Sequence, residues 1–284
     1  MKPIIKYRGG KSREIQKILP YIPEFKGRYI EPFFGGGALY FYLEPTKAII
    51  NDVNSKLMNF YSEVGTNFSK LHSELVKIQK TYLENRTAFE NLKSKAPDKR
   101  VLDKNEDFYY KLRDMYNDLT KKEFSDAALY FFINKTAYSG MLRFNAKGEY
   151  NVPYGRYKNF NIDMVSEQHS RLLSSTEIFN TDYSEIFKMA KKNDFVFLDP
   201  PYDCIFSDYG NVEYKDGFGE ANHRKLARDF FKLKCPAIMV IGKTPLTEEL
   251  YGDHIISSYA KNYAVNIRNR FQSEAIHIIV RNHV

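Results

Sequence analysis

The N-terminal part of the chain alternates between short apolar runs and helix-forming stretches. Residues 26–34 (KGRYIEPFF) and 47–52 (KAIIND) predict two strands, and residues 38–45 (ALYFYLEP) and 53–64 (VNSKLMNFYSEV) predict the helices that follow them. Glycines 35–37 predict the turn between the first strand and its helix. Such alternation is typical of a parallel sheet with crossover helices.

A different pattern runs from about residue 55 to residue 140, where charged residues follow a helical periodicity. FSKLHSELVKIQKTYL (68–83), FYYKLRDMYNDL (108–119) and SDAALYFFINKTAY (125–138) predict helices, and no run there predicts a strand. Residues 143–155 (RFNAKGEYNVPYG) alternate around Ala146-Lys147-Gly148, which is typical of a hairpin with a glycine-containing turn. We therefore predict a helical and hairpin module inserted into an α/β domain.

After residue 175 the apolar runs return in TEIFNTDY, DFVFLDPPY, CPAIMVIG and EAIHIIVRN. The second run stops at Asp199, which two prolines and Tyr202 follow. Proline lacks the N–H that a sheet needs and biases the preceding residue toward an extended conformation. Asp199 is therefore expected at the carboxyl end of a strand. Because ligands of open α/β sheets bind at that edge, an acid and an aromatic ring fall in a candidate cleft.

Two glycine-rich stretches test nucleotide-binding hypotheses. KYRGGKS (6–12) is not a phosphate-binding loop, since the motif needs glycine where Ile5 stands. EPFFGGGAL (31–39) lacks the spaced glycines of dinucleotide binders but forms a strand-to-helix turn that a small ligand can approach. Asp52, at the end of the second strand, is placed to accept hydrogen bonds from ribose hydroxyls. Together they fit an adenosine-containing ligand without a pyrophosphate, and a tight turn with an exposed acid is the alternative.

Composition limits the classes of protein. Hydrophobic residues make up 43% of the 284 residues, which is enough for a substantial core. No apolar stretch approaches the roughly 18 to 20 residues of a membrane span, and the N-terminus has charges where a signal peptide has its apolar core. These features predict a cytoplasmic protein without a membrane partner. Cys204 and Cys235 do not have the spacing of a disulfide framework or a zinc site, so no metal is expected.

The charge indicates a polyanionic partner. The chain has 43 Lys and Arg residues against 35 Asp and Glu residues, a formal net charge of +8. Residues 133–160 hold one acid, Glu149, and five basic residues: Lys135, Arg143, Lys147, Arg156 and Lys158. The last 28 residues hold Lys261, Arg268, Arg270 and Arg281 against Glu274. Both clusters are interleaved with Tyr and Phe, a combination that suits phosphate contacts and base stacking.

Six motifs taken together resemble the Dam-type class of DNA adenine-N6 methyltransferases. They are KYRGGK (6–11), EPFFGGGAL (31–39), the acid of IIND (49–52), RFNAKGEYNVPYG (143–155), FNTDY (179–183) and DPPY (199–202). The resemblance covers nearly the whole chain. It implies a Rossmann-like, mostly parallel methyltransferase domain formed by residues 1–55 and 170–284. Residues 56–169 would be an inserted helical and β-hairpin DNA-recognition domain, with its hairpin at 143–155.

The resemblance also implies roles for the matched residues in binding S-adenosylmethionine. The cofactor would be held by Tyr7, Lys11, Phe33, Gly35, Gly37, Asp52, Phe179, Asp182 and Asp199. Among these, Asp52 would hold the ribose, and Phe179 and Asp182 would pack near the adenine. The catalytic corner would be formed by Asp199, Pro200, Pro201 and Tyr202.

Double-stranded DNA is the implied partner of the inserted module. The implied DNA-binding residues are Lys135, Ser139, Met141, Arg143, Asn145, Lys147, Pro153, Arg156 and Tyr157. Arg143 matches a family arginine that reads a guanine, and Pro153 lies where the family wedges into the duplex. Ser139-Gly140 replaces an Asn-Gly pair that members often have, which leaves the target sequence open, although GATC is the commonest expectation. A restriction-modification or phage setting, with a cognate endonuclease as a functional partner, is also implied.

The Asp-Pro-Pro-Tyr corner suits methylation of an exocyclic amine. The adenine amino group is a poor nucleophile because its lone pair is delocalised into the ring. The carboxylate of Asp199 and the carbonyl of Pro200 can each accept one of its N–H bonds and aim the lone pair at the methyl donor. Tyr202 offers a face for a base that has left the duplex. Cytosine-C5 methylation would need a Pro-Cys nucleophile, whereas residues 235–236 read Cys-Pro.

Two alternatives to a DNA adenine methyltransferase remain open at this point. One is an enzyme that methylates an amino group of RNA or protein, against which the basic hairpin argues. The other is a sequence-specific DNA-binding protein with an inactive site. The intact Asp199, Asp52 and glycine turn argue against it.

Overall fold

The computed structural model describes residues 1–203, 218–261 and 275–283, and these form a seven-stranded sheet. The strands are β1 (Tyr29–Glu31), β2 (Ala48–Asn51), β3 (Thr176–Phe179), β4 (Phe195–Leu198), β5 (Ala237–Gly242), β6 (Ile255–Lys261) and β7 (Ala275–Arg281). Their order is β3-β2-β1-β4-β5-β7-β6. The first five strands are parallel, and β7 runs antiparallel to both of its neighbours. The predicted α/β class with a mostly parallel, Rossmann-like sheet is therefore confirmed.

The described residues also contain ten α-helices. They are α1 (Ile15–Ile18), α2 (Ala38–Leu43), α3 (Ser55–Thr66), α4 (Phe68–Lys95), α5 (Lys104–Tyr116), α6 (Asp126–Thr136), α7 (Glu167–Ser174), α8 (Tyr183–Met189), α9 (Glu220–Lys232) and α10 (Pro245–Tyr251). Short 3₁₀ turns follow α1, α6 and α10. No helix among the described residues is both long and apolar enough to cross a membrane.

Both faces of the sheet are buried along its central parallel strands, as is typical of parallel strands. Along β4, Phe195 and Phe197 belong to one hydrophobic cluster, whereas Val196 and Leu198 belong to the cluster on the other face. Side chains alternate in this way because successive residues of a strand point to opposite faces. The continuous apolar run that predicted β4 is thus the pattern of a strand covered on both sides.

The connection between β2 and β3 contains five helices, α3 to α7, and a short hairpin. In the hairpin, the N–H of Asn145 donates to Glu149 O at 2.9 Å, and that of Asn151 donates to Arg143 O at 3.1 Å. Gly148 occupies its turn at φ +78°, a conformation that glycine adopts without strain. The assignment of this connection as a DNA-recognition domain stays a prediction.

The edge strand β6 was not predicted from the sequence. Its residues IISSYAK have two adjacent serines and are mostly half-buried, so they carry a weak strand signal. The pairing with β7 also shifts register between Ile255 and Ser257. A half-exposed edge strand with a bulge does not need the alternating apolar pattern of an inner strand.

Candidate active site

A pocket lies at the carboxyl ends of β1, β2 and β4. Ten of the residues predicted to act in catalysis or cofactor binding line it: Tyr7, Lys11, Phe33, Gly35, Gly37, Asp52, Asp199, Pro200, Pro201 and Tyr202. The remaining lining residues are Arg8, Gly9, Gly10, Glu31, Phe34, Gly36, Ala38, Leu39, Val53 and Phe197. The pocket therefore combines the N-terminal GGK segment, the glycine turn and the Asp-Pro-Pro-Tyr corner.

Tyr7 packs against the glycine turn. A Cβ atom at Gly35 would lie 2.6 Å from Tyr7 Cε1, and one at Gly36 would lie 2.9 Å from Tyr7 Cβ. Gly35 and Gly37 also have φ values of +47° and +61°, in the left-handed region. The turn therefore needs glycine for both its conformation and its contact with the tyrosine ring.

Asp52 is fixed at the end of β2 by backbone N–H groups. Its two oxygens accept hydrogen bonds from Gly35 N at 2.9 Å and Asn54 N at 3.0 Å. Burial raises the pKa of Asp52, and these N–H donors oppose that shift. Each carboxylate oxygen keeps a second lone pair, so the group can still accept a hydrogen bond from a ligand.

Two asparagines support this edge of the sheet and were not singled out in the sequence. The buried Asn51 donates from Nδ2 to the carbonyls of Pro32 and Thr181, both at 3.0 Å. Asn180 donates to the carbonyls of Asp52 and Val53 at 2.8 and 3.0 Å. Since their partners lie up to 130 residues away, no local sequence pattern could have identified them.

Glu31 adds a buried carboxyl to the pocket wall. Tyr29 Oη donates to Glu31 Oε2 at 2.7 Å. Burial raises the pKa of Glu31 well above its usual value, and the nearby Asp199 and Asp52 raise it further. The hydrogen bond from Tyr29 and the charge of Lys11 lower the pKa of Glu31 and so oppose this rise.

Lys11 and Asp199 form the central ion pair of the pocket. Lys11 Nζ lies 2.7 Å from each oxygen of Asp199 and donates also to Gly9 O at 3.0 Å. The side chain of Lys11 is 3% exposed, and that of Asp199 is 21% exposed. The ammonium group therefore compensates the charge of a carboxylate that faces the pocket. A contact of Lys11 with the cofactor stays a prediction.

Tyr202 completes the corner beyond the two prolines. Its ring lies against β5, where a Cβ at Gly242 would be 3.3 Å from Tyr202 Cδ2. Lys11 Nζ lies 5.0 Å from the centroid of this ring. The ring is thus packed between the backbone of β5 and the central ammonium group.

Phe179 and Asp182 are not among the side chains that line the pocket in the described residues. Phe179 packs against the core on the same side of the sheet as Phe33. Asp182 begins α8 and accepts hydrogen bonds from Ser184 N at 2.9 Å and Ser184 Oγ at 2.5 Å. The visible role of this carboxylate is helix capping, and its predicted position near the cofactor adenine stays a prediction.

The exposed hairpin carries several of the predicted DNA-binding residues. Arg143 is exposed and donates from Nε to Asn151 Oδ1 at 2.8 Å. Asn145 uses its side chain within the turn, where Oδ1 accepts from Lys147 N at 2.9 Å. Lys147 itself points its charge to the surface, and Pro153 is exposed as well.

Tyr157, which follows the hairpin, contacts the segment that leads into the pocket. Lys6, the neighbour of Tyr7, places its Nζ 3.9 Å from the centroid of the Tyr157 ring. Arg156 is exposed and pairs with Glu106 at 2.9 Å. Met141 is half-buried against the core. Lys6 therefore connects the base of the hairpin to the edge of the pocket.

Ser139 has an unusual backbone conformation. Its φ is +54°, and Gly140 follows with φ +60°. Asparagine tolerates the left-handed region better than serine does. The Asn-Gly pair that is common in the Dam-type class would suit this turn without strain. The preceding Tyr138, which the sequence did not single out, is 51% exposed.

Lys135 lies in a buried position, and its predicted contact with DNA stays a prediction. It is 8% exposed and donates a hydrogen bond from Nζ to Ile4 O at 2.6 Å. Burial lowers its pKa to about 8, and the neighbouring charge of Lys6 acts in the same direction. Every residue of α6 from Ala127 onward is buried, so the lysine joins this helix to the N-terminal segment and is not at the surface.

The next question is whether the described residues contain a metal-binding cluster or a reactive thiol. Across the described ranges, no group of three His, Cys, Asp or Glu side chains could hold a metal ion. Cys235 is buried, and burial raises the pKa of its thiol to about 11. Such a thiol is a poor nucleophile. Cys204 lies outside the described residues.

Comparisons with known proteins identify the family of this chain. The family model of the D12 class N6 adenine-specific DNA methyltransferases matches residues 7–266. The type II methyltransferase M.CviBI of Paramecium bursaria Chlorella virus NC1A is 32% identical over 100% of both chains. M.MjaIII of Methanocaldococcus jannaschii, also named a type II methyltransferase, is 36% identical over 82% of this chain and 80% of its own.

More distant relatives carry the name DNA adenine methylase. That of Haemophilus influenzae is 27% identical over 88% of this chain and 82% of its own. The predicted enzyme class and the resemblance to adenine-N6 methyltransferases are confirmed. The matched range begins at Tyr7 of the pocket and runs through the Asp-Pro-Pro-Tyr corner. The chain belongs to the D12 class of N6 adenine-specific DNA methyltransferases.

Proposed function

We propose that this protein transfers a methyl group from S-adenosylmethionine to adenine N6 within a short, specific duplex DNA target. The observation that carries the proposal is the convergence of Lys11, Asp199 and Tyr202 at the sheet edge, beside the glycine turn. We place the flipped adenine between Asp199 and Tyr202, since a base inside the duplex cannot reach a pocket of this kind.

The residues present fit S-adenosylmethionine. The glycine turn, with Tyr7 packed on it, lines the pocket at the edge of the sheet, and the fixed Asp52 retains lone pairs for ribose hydroxyls. When bound, the cofactor supplies an electrophilic methyl group.

Asp199 and the carbonyl of Pro200 orient the nucleophile. Each can accept one hydrogen bond from the adenine amino group and so turn its lone pair toward the donor. The two prolines hold both acceptors at a fixed separation, because their φ angles are restricted. This is positioning together with electrostatic stabilisation of positive charge on nitrogen. Asp199 need not be a general base, since the methylated amine becomes acidic and can lose its proton afterwards.

Lys11 supports this role by holding the carboxylate in place. Its ammonium group engages both oxygens of Asp199 at 2.7 Å, and each oxygen keeps a second lone pair for the base. A carboxylate without this partner would be free to turn away from the pocket. Lys11 therefore acts through Asp199 in this proposal.

We assign DNA recognition to residues 56–169. The exposed Arg143, Lys147 and Arg156 supply positive charge at the surface of these residues, and the exposed Tyr138 supplies an apolar face. Lys6 connects this surface to Tyr7 in the pocket. We keep Arg143 as the guanine-reading residue, Pro153 as the wedge and GATC as the first target to test. The names of the type II methyltransferase relatives support a restriction-modification role, and a cytoplasmic location remains part of the proposal.

Transfer of tritium from methyl-labelled S-adenosylmethionine to unmethylated plasmid DNA tests the proposal. Label recovered as N6-methyladenine after nucleoside analysis is the expected result. Protection of the plasmid from adenine-methylation-sensitive endonucleases, GATC cutters among them, would identify the target. Label that appears in RNA or protein but not in DNA would instead support the alternative amino-group acceptors.

A further inference from the structure

A buried cluster of polar side chains lies behind the pocket. None of its members belongs to the six motifs that resemble the Dam-type class. At its centre is Glu14, which is 4% exposed. It accepts hydrogen bonds from Tyr259 Oη at 2.6 Å, from His277 Nδ1 at 2.8 Å and from Lys261 Nζ. Buried carboxylates are costly unless donors surround them, so a cluster of three donors on one acid is a specific arrangement.

Glu14 belongs to the same turn as Lys11. The N–H of Glu14 donates to Lys11 O at 2.7 Å, immediately before α1 begins at Ile15. Lys11 in turn holds Asp199. The turn that holds Lys11 is thus attached to strands β6 and β7 through the carboxylate of Glu14.

His277 extends from this cluster to the catalytic corner. It is fully buried on β7, opposite Gly242 of β5 and Tyr259 of β6. Its ring centroid lies 5.0 Å from that of Tyr202, with an angle of 88° between the ring planes. Because Gly242 has no side chain, the ring of Tyr202 can pack in space that a Cβ atom at position 242 would restrict.

We propose that His277, held by Glu14, is a positioning residue that fixes the ring of Tyr202. The inference rests on the proposed function, in which Tyr202 stacks on the flipped adenine. The Nδ1 hydrogen bond to Glu14 fixes the orientation of the imidazole, and the perpendicular ring contact then restricts rotation of the tyrosine. Edge-to-face contacts of this kind are favourable because the positive ring edge meets the negative ring face.

Two substitutions separate the ring contact from the hydrogen bond. His277→Phe keeps an aromatic ring beside Tyr202 but removes the donor to Glu14. His277→Gln keeps a donor near Glu14 but removes the ring. The proposal requires the second substitution to release Tyr202 more than the first, whereas a merely structural role for a buried donor requires the opposite order.

A single 3-fluorotyrosine at position 202 reports the ring directly, without DNA or cofactor. We expect one narrow ¹⁹F resonance with the natural His277, a slightly broadened one with His277→Phe, whose ring lacks the Glu14 hydrogen bond, and the most strongly shifted or broadened one with His277→Gln. An unchanged resonance in His277→Gln would overturn the proposal. Because no methyl transfer is involved, this outcome is independent of whether the proposed function holds.

Single-turnover methyl transfer with saturating DNA and cofactor provides the second readout. His277→Gln should lower the rate about tenfold, with little change in cofactor affinity, because the lost ring contact acts on the base and not on the cofactor site. In a Tyr202→Ala background the same substitution should cause no further loss. Multiplicative losses in the double variant would show that His277 acts independently of Tyr202 and would contradict the inference.

His169 offers a matched control. It is also a buried histidine, with both ring nitrogens hydrogen-bonded and its ring 5.3 Å from Phe41. His169→Gln should lower stability while leaving the single-turnover rate and the Tyr202 resonance unchanged. A wild-type enzyme that transfers no label to DNA would count against the proposed function, and the fluorine experiment would still decide the role of His277.

Discussion

The pocket and the hairpin are built in opposite ways. In the pocket, Lys11 and Asp199 are 188 residues apart in sequence, and the ion pair is largely buried. In the hairpin, Arg143 pairs with Asn151 only eight residues away, and Asn145 with Glu149 four residues away, at or near the surface. One region depends on the whole fold for its geometry, and the other depends mainly on its own turn.

This difference separates two kinds of function. A reacting group must be held within a fraction of an ångström, which buried partners from several elements can do. A DNA-reading side chain must exchange its local partners for a base edge, which an exposed arginine can do at small cost. Substitutions in the pocket should therefore affect chemistry and stability, whereas substitutions in the hairpin should affect target choice and leave the fold intact.

The largest effect is expected from Asp199→Ala. Methyl transfer should fall by at least about 10³-fold, because the pocket loses the acceptor that orients the amino group, while cofactor binding persists. Tritium transfer and equilibrium cofactor binding measure the two quantities. Asp203→Ala is the control, since that carboxylate lies one residue beyond Tyr202 and accepts from Thr244 Oγ1 at 3.1 Å. Comparable losses in both variants would remove Asp199 from its central role.

Glu14→Gln should weaken the support behind the pocket in a pH-dependent way. Burial by itself would raise the pKa of Glu14, but hydrogen bonds from His277, Lys261 and Tyr259 lower it from 4.5 to about 2. Because the folded-state pKa is lowered, the carboxylate stabilises the fold above pH 4.5, and this contribution is lost as the pH falls toward 2. The contribution at neutral pH is about 3 kcal/mol.

Denaturant unfolding between pH 2 and 7 measures that contribution. The difference in unfolding free energy between wild type and Glu14→Gln should be largest at neutral pH and should shrink in acid. Glu90→Gln is the control, because Glu90 is 57% exposed in an ion pair with Arg86. A difference that does not vary with pH would show that Glu14 does not carry its charge in the folded state.

Arg143→Ala should change target choice without changing the fold. Discrimination at one base pair should fall by about 1–3 kcal/mol, the range expected for loss of a bidentate contact with guanine. Methylation rates on duplexes with single base-pair changes measure it. Lys147→Ala, on the same hairpin, should weaken binding equally for all sequences and reduce its salt dependence. An unchanged target preference in Arg143→Ala would contradict the assigned recognition role.

Ser139→Asn should have the smallest effect and should stabilise the protein. The residue has φ +54°, where asparagine is less strained than serine, so we expect a gain of up to about 1 kcal/mol. Denaturant midpoints measure it. Ser139→Ala serves as the control because alanine keeps the strain. A stabilisation of equal size with alanine would show that backbone conformation is not its cause.

Local rules predicted the parts of the molecule that depend on short stretches of sequence. Proline after an apolar run identified the end of β4, and three glycines after β1 identified the turn beneath Tyr7. Because the carboxyl ends of parallel strands meet at one edge, these stretches could be expected to lie together before any contact was known.

Features that depend on contacts between residues far apart in the sequence could not be predicted from short stretches. Lys135 was expected at the surface because it is basic, but α6 is buried on all sides and has no polar face to orient it. Glu14 and His277 are 263 residues apart and meet only through the register of β7 against β5 and β6. A one-residue shift in that register would turn His277 to the other face of the sheet.

The 188-residue separation of Lys11 and Asp199 also bears on synthesis of the protein. A ribosome adds about 5–20 residues each second, so Lys11 waits on the order of 10 to 40 seconds for its partner. During that interval the glycine turn and the helices α3 to α7 can fold, but the ion pair at the centre of the pocket is absent. The nascent chain therefore acquires its Asp-Pro-Pro-Tyr corner only late in translation, and a product cut short before Asp199 would lack the proposed catalytic carboxylate.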